Sequence, residues 1–373
     1  MADDKKKPKL DLKATTAEEF RAKINKAMGK NTLIKGSQIK RQEWPRATSG
    51  SVAIDVMLGG GWPLNQWNEI VGLESSGKTL LCLKTLAANQ AKAKAEGREY
   101  RALWIAAEDF VVEYAEMVGV DIDGVDIVED NVTENVLNIM DAATESQLYD
   151  FICLDSLPAL VPSEEAEKSM EESSMAVNAR LIGKFFRKSN KSKRRDLVEP
   201  EGERDVLLLI INQWREKIGV VYGDPRTTPG GKSKNYSFFI QVEVARDEWL
   251  VVNNPNPSND YDKTIKVGQA IKVRSFKNKT APSQRVVVID FYFSDAAEGF
   301  EAGDFDTLKE IISLALSLGV ITKETSMTYM YGGEKLSTSG RPGLEATLRE
   351  DLTLQRQIEQ DVYMLTTRNG APE

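Results

Sequence analysis

Residues 72–79 read GLESSGKT and stand between a strand candidate, Asn68 to Val71, and a stretch of helical character. A strand that becomes a helix through this Gly-rich loop allows few folds, because it fits G-x-x-x-x-G-K-[ST] in its required setting. Gly72 and Gly77 let the backbone close around phosphate, while loop N–H groups and the helix N-terminus supply positive potential. Lys78 adds a point charge for the β- and γ-phosphates, and the Thr79 hydroxyl suits magnesium. Glu74, Ser75, Ser76 and Leu80 complete the expected nucleotide-contacting stretch. The cofactors read from it are ATP and Mg2+.

Further apolar runs at residues 102–107 (ALWIAA), 151–155 (FICLD) and 206–211 (VLLLII) are continuous rather than alternating. Strands covered on both faces have that pattern. Amphipathic helical stretches lie between them, for example residues 134–147, so the core is predicted to be α/β with a mostly parallel sheet. Ligands of such sheets bind beyond the C-terminal ends of the strands, where this chain places polar residues. Asp155 closes FICLD and is the candidate magnesium-organising carboxylate, its ordinary alternative being a helix cap. Glu108 follows LWIAA and could polarise an attacking water, with Asp109 beside it as a rival. Asn212 and Gln213 close VLLLII, where an amide can touch a γ-phosphate or merely serve a turn.

Several classes drop out on composition. The 373 residues contain no histidine, which removes a zinc site of Cys/His type and the commonest general base. Cys82 and Cys153 lie in apolar stretches and read as buried thiols in a reducing, cytoplasmic setting. The N-terminal MADDKKKPK lacks an apolar segment after its charges, and no apolar run approaches a membrane span. The net charge of −8 argues against nucleic acid as a whole-molecule sum. Residues 184–195 (KFFRKSNKSKRR) and 213–234 are nevertheless locally basic, and phosphate contacts are local.

The segment NQWREKIGVVYGDPRTTPGG, residues 212–231, together with GLESSGKT closely resembles the RecA family of recombinases. TSGSVAIDVMLGGGWP (residues 48–63), YAEMVGVDID (residues 114–123) and the layout after residue 298 extend the likeness over roughly residues 16–365. The resemblance implies roles by position. Glu108 matches the water-activating glutamate, Tyr114 the aromatic that stacks on adenine, and Gln213 the amide coupling the γ-phosphate to DNA. Lys277 and Lys279 match paired lysines that reach a neighbouring subunit's ATP, although unaided they read as a solvated strand end. Met175, Arg180 and Arg187 match DNA contacts on a helix, residues 176–188. Ile218, Thr227, Gly230 and Gly231 match a second DNA-contacting segment, residues 214–235. Single- and double-stranded DNA and a helical homo-oligomer follow as expected partners.

The expected organisation is an N-terminal tail and polymerisation helix (1–45), a P-loop ATPase and DNA-binding core (46–297) and a small α/β domain (298–373). In the first part Thr16 reads as the N-cap of a helix with Phe20, Ile24 and Met28 on one face. Departures from the family stand out: the first DNA segment carries Glu164, Glu165, Glu167, Glu171 and Glu172, and Glu216 lies in the second. Asn235 and Tyr236 stand where the family often has Lys and Phe. A ring-shaped motor and a non-catalytic DNA-binding regulator are the competing readings. The first leaves residues 214–235 and the lysine pair unexplained; the second predicts that Glu108→Gln changes nothing.

Overall fold

The computed structural model describes residues 13–29, 32–38, 44–163, 175–192, 205–216, 226–259, 263–295, 297 and 299–368. Helix α1, Ala17–Met28, begins at Thr16, whose Oγ1 accepts from Glu19 N at 3.1 Å. No residue of α1 is buried, and Phe20 and Met28 are exposed. The cap is where the sequence puts it, and among the described residues the apolar face joins none of the core clusters.

Strand β1 is Arg46–Ala47, followed by helix α2, Val52–Leu58, and strand β2, Trp62–Pro63. Then come β3, Trp67–Gly72, α3, Lys78–Ala95, β4, Ala102–Ala106, α4, Val112–Met117, β5, Val125–Glu129, α5, Thr133–Ser146, and β6, Phe151–Asp155. Helix α6, Met175–Ser192, precedes β7, Leu207–Gln213, the short β8, Arg215–Glu216, and β9, Arg226–Thr227. Two long strands follow, β10, Ile240–Asn253, and β11, Thr264–Asn278, and then β12, Arg285–Tyr292. The eight-stranded sheet runs β12-β11-β10-β3-β7-β6-β4-β5. From β10 to β5 every pairing is parallel, while β11 runs antiparallel to both its neighbours. The α/β, mostly parallel sheet expected from the apolar runs is the one found. Strands β10 and β11 pair antiparallel from Ile240 and Asn278 out to Asn253 and Thr264.

Strand periodicity divides the core in two. Phe151, Cys153, Leu207, Leu209 and Ile211 face a cluster with Leu81, Leu86 and Trp104. Ile152, Leu154, Leu208 and Ile210 face the other, with Phe185, Phe186 and Met140. Successive side chains of a strand point to opposite faces, so a strand covered twice must be apolar throughout. Cys82 and Cys153 are both fully buried free thiols.

After β12 come helix α7, Thr307–Leu318, and a three-stranded sheet of β13, Thr322–Lys323, β14, Tyr329–Tyr331, and β15, Glu334–Ser337. Helices α8, Gly340–Glu350, and α9, Leu352–Arg368, follow. Asp306 caps α7 through Lys309 N, and Gly319 ends it in the left-handed region at φ 75°. Ile311, Ile312, Leu344, Leu348, Ile358 and Val362 form a third cluster that also takes in Val52 and Val56 of α2. No helix among the described residues is long and apolar enough to cross a membrane.

Candidate nucleotide and nucleic-acid site

The phosphate loop leaves the central strand β3 and enters α3 through Gly77, which sits at φ 96°. A Cβ on Gly72 would lie 2.4 Å from both Val244 O and Ser76 Oγ, so only glycine fits there. Lys78 Nζ donates to Leu73 O at 2.6 Å, which holds the ammonium over the loop, and burial lowers its pKa. Thr79 Oγ1 donates to Asp155 Oδ2 at 2.8 Å. Burial pushes Asp155 up to about 6, against the lowering effect of the Thr79 bond.

Parallel register then gathers the strand ends. Ala106 pairs with Asp155, and the N–H groups of Ala107 and Glu108 both donate to Asp155 O, at 2.8 and 3.0 Å. Gln213 pairs with Gly72, which brings the β7 amide beside the loop. Its Nε2 donates to Glu108 Oε1 at 3.3 Å, and Ser156 Oγ donates to the same oxygen. A cleft of about 350 Å³ is lined by residues 74–80 with Glu108, Tyr114, Asp155, Gln213 and Gln269. Tyr114 packs against the core at one wall, where burial raises its hydroxyl to about 12.

The donor set fits a hard cation beside a polyphosphate. Thr79 and Asp155 offer two oxygens close together, while among the described residues no three Cys, Asp or Glu side chains converge on a metal site. Magnesium is characteristically held that way, by one or two protein oxygens with phosphate and water completing the shell.

The expected residues do not all meet there. Asn212, offered with Gln213 as a phosphate sensor, is buried beneath it and donates to Glu69 Oε1 at 2.7 Å. Lys277 and Lys279 stand at the far end of β11: Gln269 lines the cleft, and Lys277 lies eight residues on, about 25 Å along an extended strand. There Lys277 donates to Asn235 O, and Lys279 donates to Tyr236 O at 3.3 Å. Burial, with help from the Lys279 charge, lowers Lys277 to about 8. Neither lysine reaches its own chain's phosphate loop.

Arg180 and Arg187 are exposed on α6, whose first residue is Met175. Thr227 pairs with Arg215 in a small hairpin rooted at Gln213. Gly230 and Gly231 take φ of 90° and 77°, and a Cβ on Gly231 would lie 3.3 Å from Ala179 Cβ. The two candidate DNA segments therefore touch, one residue from Arg180. Ile218 and the acidic stretch 164–172 lie outside the described residues. Lys234 corrects the reading of a basic second segment: its side chain is fully buried and paired with Glu69 at 2.8 Å.

Four residues at the site and one beneath it, Lys234, are not marked out by the sequence. Ser156 had a signal, a hydroxyl directly after a strand-end aspartate. Gln269 sits inside an antiparallel strand and is placed by register alone. Trp214 donates its backbone N–H to Gly72 O at 3.3 Å. Arg226 lies over the Trp214 ring at 5.0 Å and bonds Glu243 at 2.5 Å. Lys234 was noticed only as charge.

A phosphate loop on the central strand, with carboxylates and an amide at the neighbouring strand ends, defines a P-loop nucleotide-binding α/β protein. The chain matches the RecA N-terminal domain over residues 16–298, and it belongs to the RecA family, whose members act in DNA recombination and repair. It is 33% identical to Protein RecA of Bacillus anthracis over 358 residues, 94% of this chain and 92% of that one. It is 32% identical to Protein RecA of Chlorobaculum parvum over 351 residues, covering 94% and 91%. With Protein RecA of Chlorobium chlorochromatii the identity is 34% over 346 residues, covering 92% and 89%.

Proposed function

We propose that the chain is a DNA-dependent ATPase that forms a helical filament on single-stranded DNA and catalyses homologous pairing and strand exchange. The observation that carries this reading is the Glu108–Gln213 contact. It joins a carboxylate fit to activate water with an amide at the root of a segment that suits DNA. Lys78 and the loop N–H groups bind the triphosphate, and Tyr114 flanks the base. Thr79 and Asp155 would hold magnesium, which would neutralise phosphate charge. Glu108 takes the proton of the attacking water.

Lys277 and Lys279 serve a neighbour's nucleotide, since the strand that bears them ends far from their own cleft. Arg180 and Arg187, with Met175, Ile218, Thr227, Gly230 and Gly231, contact the DNA backbone and bases. Reciprocity follows: if bound ATP favours the DNA-holding state, DNA must tighten ATP by the same factor. The apolar, unburied face of α1 suits a second copy of the chain.

The test is strand exchange between a circular single strand and a matching linear duplex, with ATP, without it, and with Lys78→Ala. Joint molecules only with ATP and unaltered Lys78 are expected. Closed rings rather than a helical filament, in electron micrographs with ATP and single strands, would favour the motor reading instead.

A further inference from the structure

Glu69 lies three residues before Gly72 on β3, and its side chain is fully buried. Three donors surround it. Lys234 Nζ reaches Oε1 at 2.8 Å, Asn212 Nδ2 reaches the same oxygen at 2.7 Å, and Gln241 Nε2 bonds Oε2. Lys234 is as fully buried, and its remaining bonds go to Thr228 Oγ1 at 2.8 Å and Asn235 Oδ1 at 3.0 Å. All three ammonium protons thus have acceptors, two of them in the segment that carries Gly230 and Gly231.

The network has two further ends. Asn212 Oδ1 accepts from Gln213 N at 2.9 Å, and Gln213 bonds Glu108. Asn235 O accepts from Lys277. One continuous set of bonds therefore runs from the cleft, under the phosphate-loop strand, to the root of the second DNA segment and on to Lys277.

Stability alone does not account for such a pair. Apolar residues of similar volume in place of a buried ion pair are often neutral or stabilising. A saturated polar network, by contrast, has a single low-energy arrangement, and a shift at one member is not absorbed locally. A change at Gln213 moves Asn212, and Asn212 shares Glu69 Oε1 with Lys234.

We propose that Lys234 and Glu69 are positioning residues that transmit the state of Gln213 to residues 226–236 and to Lys277, and so set how strongly DNA stimulates hydrolysis. This rests on the function proposed above. Neither side chain touches nucleotide or DNA, and both act through Asn212, Thr228 and Asn235.

The full-length chain is compared with Lys234→Met and with the double variant Glu69→Gln/Lys234→Met, which removes both charges together. Equilibrium ATP binding, hydrolysis with and without oligo-dT, and the thermal midpoint are measured on each. ATP affinity and DNA-free hydrolysis should stay near those of the unaltered chain, while stimulation by oligo-dT falls about fivefold or more. A lowered midpoint with unchanged stimulation overturns the proposal, because a merely structural pair behaves so. Absence of stimulation in the unaltered chain overturns the functional reading itself, and this proposal with it. Should the variants fail to fold, hydrogen exchange on the unaltered chain decides. With a non-hydrolysable ATP analogue, residues 228–236 should change protection together with residues 208–216, and change confined to 208–216 overturns the proposal.

Discussion

Gln213 Nε2 meets Glu108 Oε1 at 3.3 Å although their strands, β7 and β4, are separated by β6. The amide and the carboxylate reach each other because Gln213 ends β7 and Glu108 lies two residues past β4, both beyond the C-terminal end of β6. Ser156 Oγ, from the turn after β6, donates to the same carboxylate oxygen and fills the gap between them. A single oxygen thus reports on three strand ends.

Glu108→Gln should leave ATP binding intact and lower hydrolysis by about 10²-fold or more, the scale of a lost general base. Lys277→Ala should also be inactive with DNA present. Mixing the two variants should restore part of the activity, because some interfaces then pair an intact Glu108 with an intact Lys277. DNA-stimulated hydrolysis measured across mixing ratios gives the answer, and a mixture no better than its components would mean that each site is complete within one chain.

Gly72→Ala places a methyl group 2.4 Å from Val244 O, where only backbone movement can relieve the contact. Nucleotide affinity should collapse while the sheet survives. Fluorescent-nucleotide titration alongside far-ultraviolet circular dichroism separates loss of binding from loss of fold.

Arg180→Ala should weaken single-strand binding and reduce the slope of log K against log salt by about 0.7, one phosphate contact on a single strand. ATP affinity without DNA should not change. Fluorescence anisotropy over a salt series measures the slope, and an unaltered slope removes Arg180 from the DNA-contacting set.

Glu310 supplies a pH prediction. Its Oε2 accepts from Ser51 Oγ at 2.7 Å and from Ala53 N at 3.0 Å, and burial pushes its pKa from 4.5 to about 7. Asp55 and Asp306 nearby push the same way. A carboxyl raised on folding penalises the native state progressively as pH climbs from its unfolded value through its folded one. Glu310→Gln should therefore be more stable than the unaltered chain at about pH 8, by up to about 3 kcal/mol, and no more stable at about pH 4. Thermal unfolding at both pH values checks the sign.

The sequence exposed what depends on local order. GLESSGKT, the strand ends at Asp155 and Gln213 and the cap at Thr16 are all written within a few residues, and each sits in the predicted setting. Relations across the chain were not legible. Glu69 and Lys234 are 165 residues apart, and nothing near Lys234 distinguishes a buried ammonium from a solvated one. Gln269 enters the cleft only because β11 runs antiparallel to β10, a matter of register that composition does not encode. Net charge is uninformative for the same reason, since it counts the buried Lys234 on equal terms with the exposed Arg180 and says nothing of where either lies.

Strand β11 carries Gln269 at the wall of one cleft and Lys277 at the opposite rim. An extended backbone, bonded on both edges, acts as a caliper. In an assembly of the proposed kind it would gauge the gap between consecutive fuel molecules, so changes of pitch would have to come from protomers rolling against one another. Lengthening this strand by a residue pair would open the caliper and leave each pocket short of its visiting lysines.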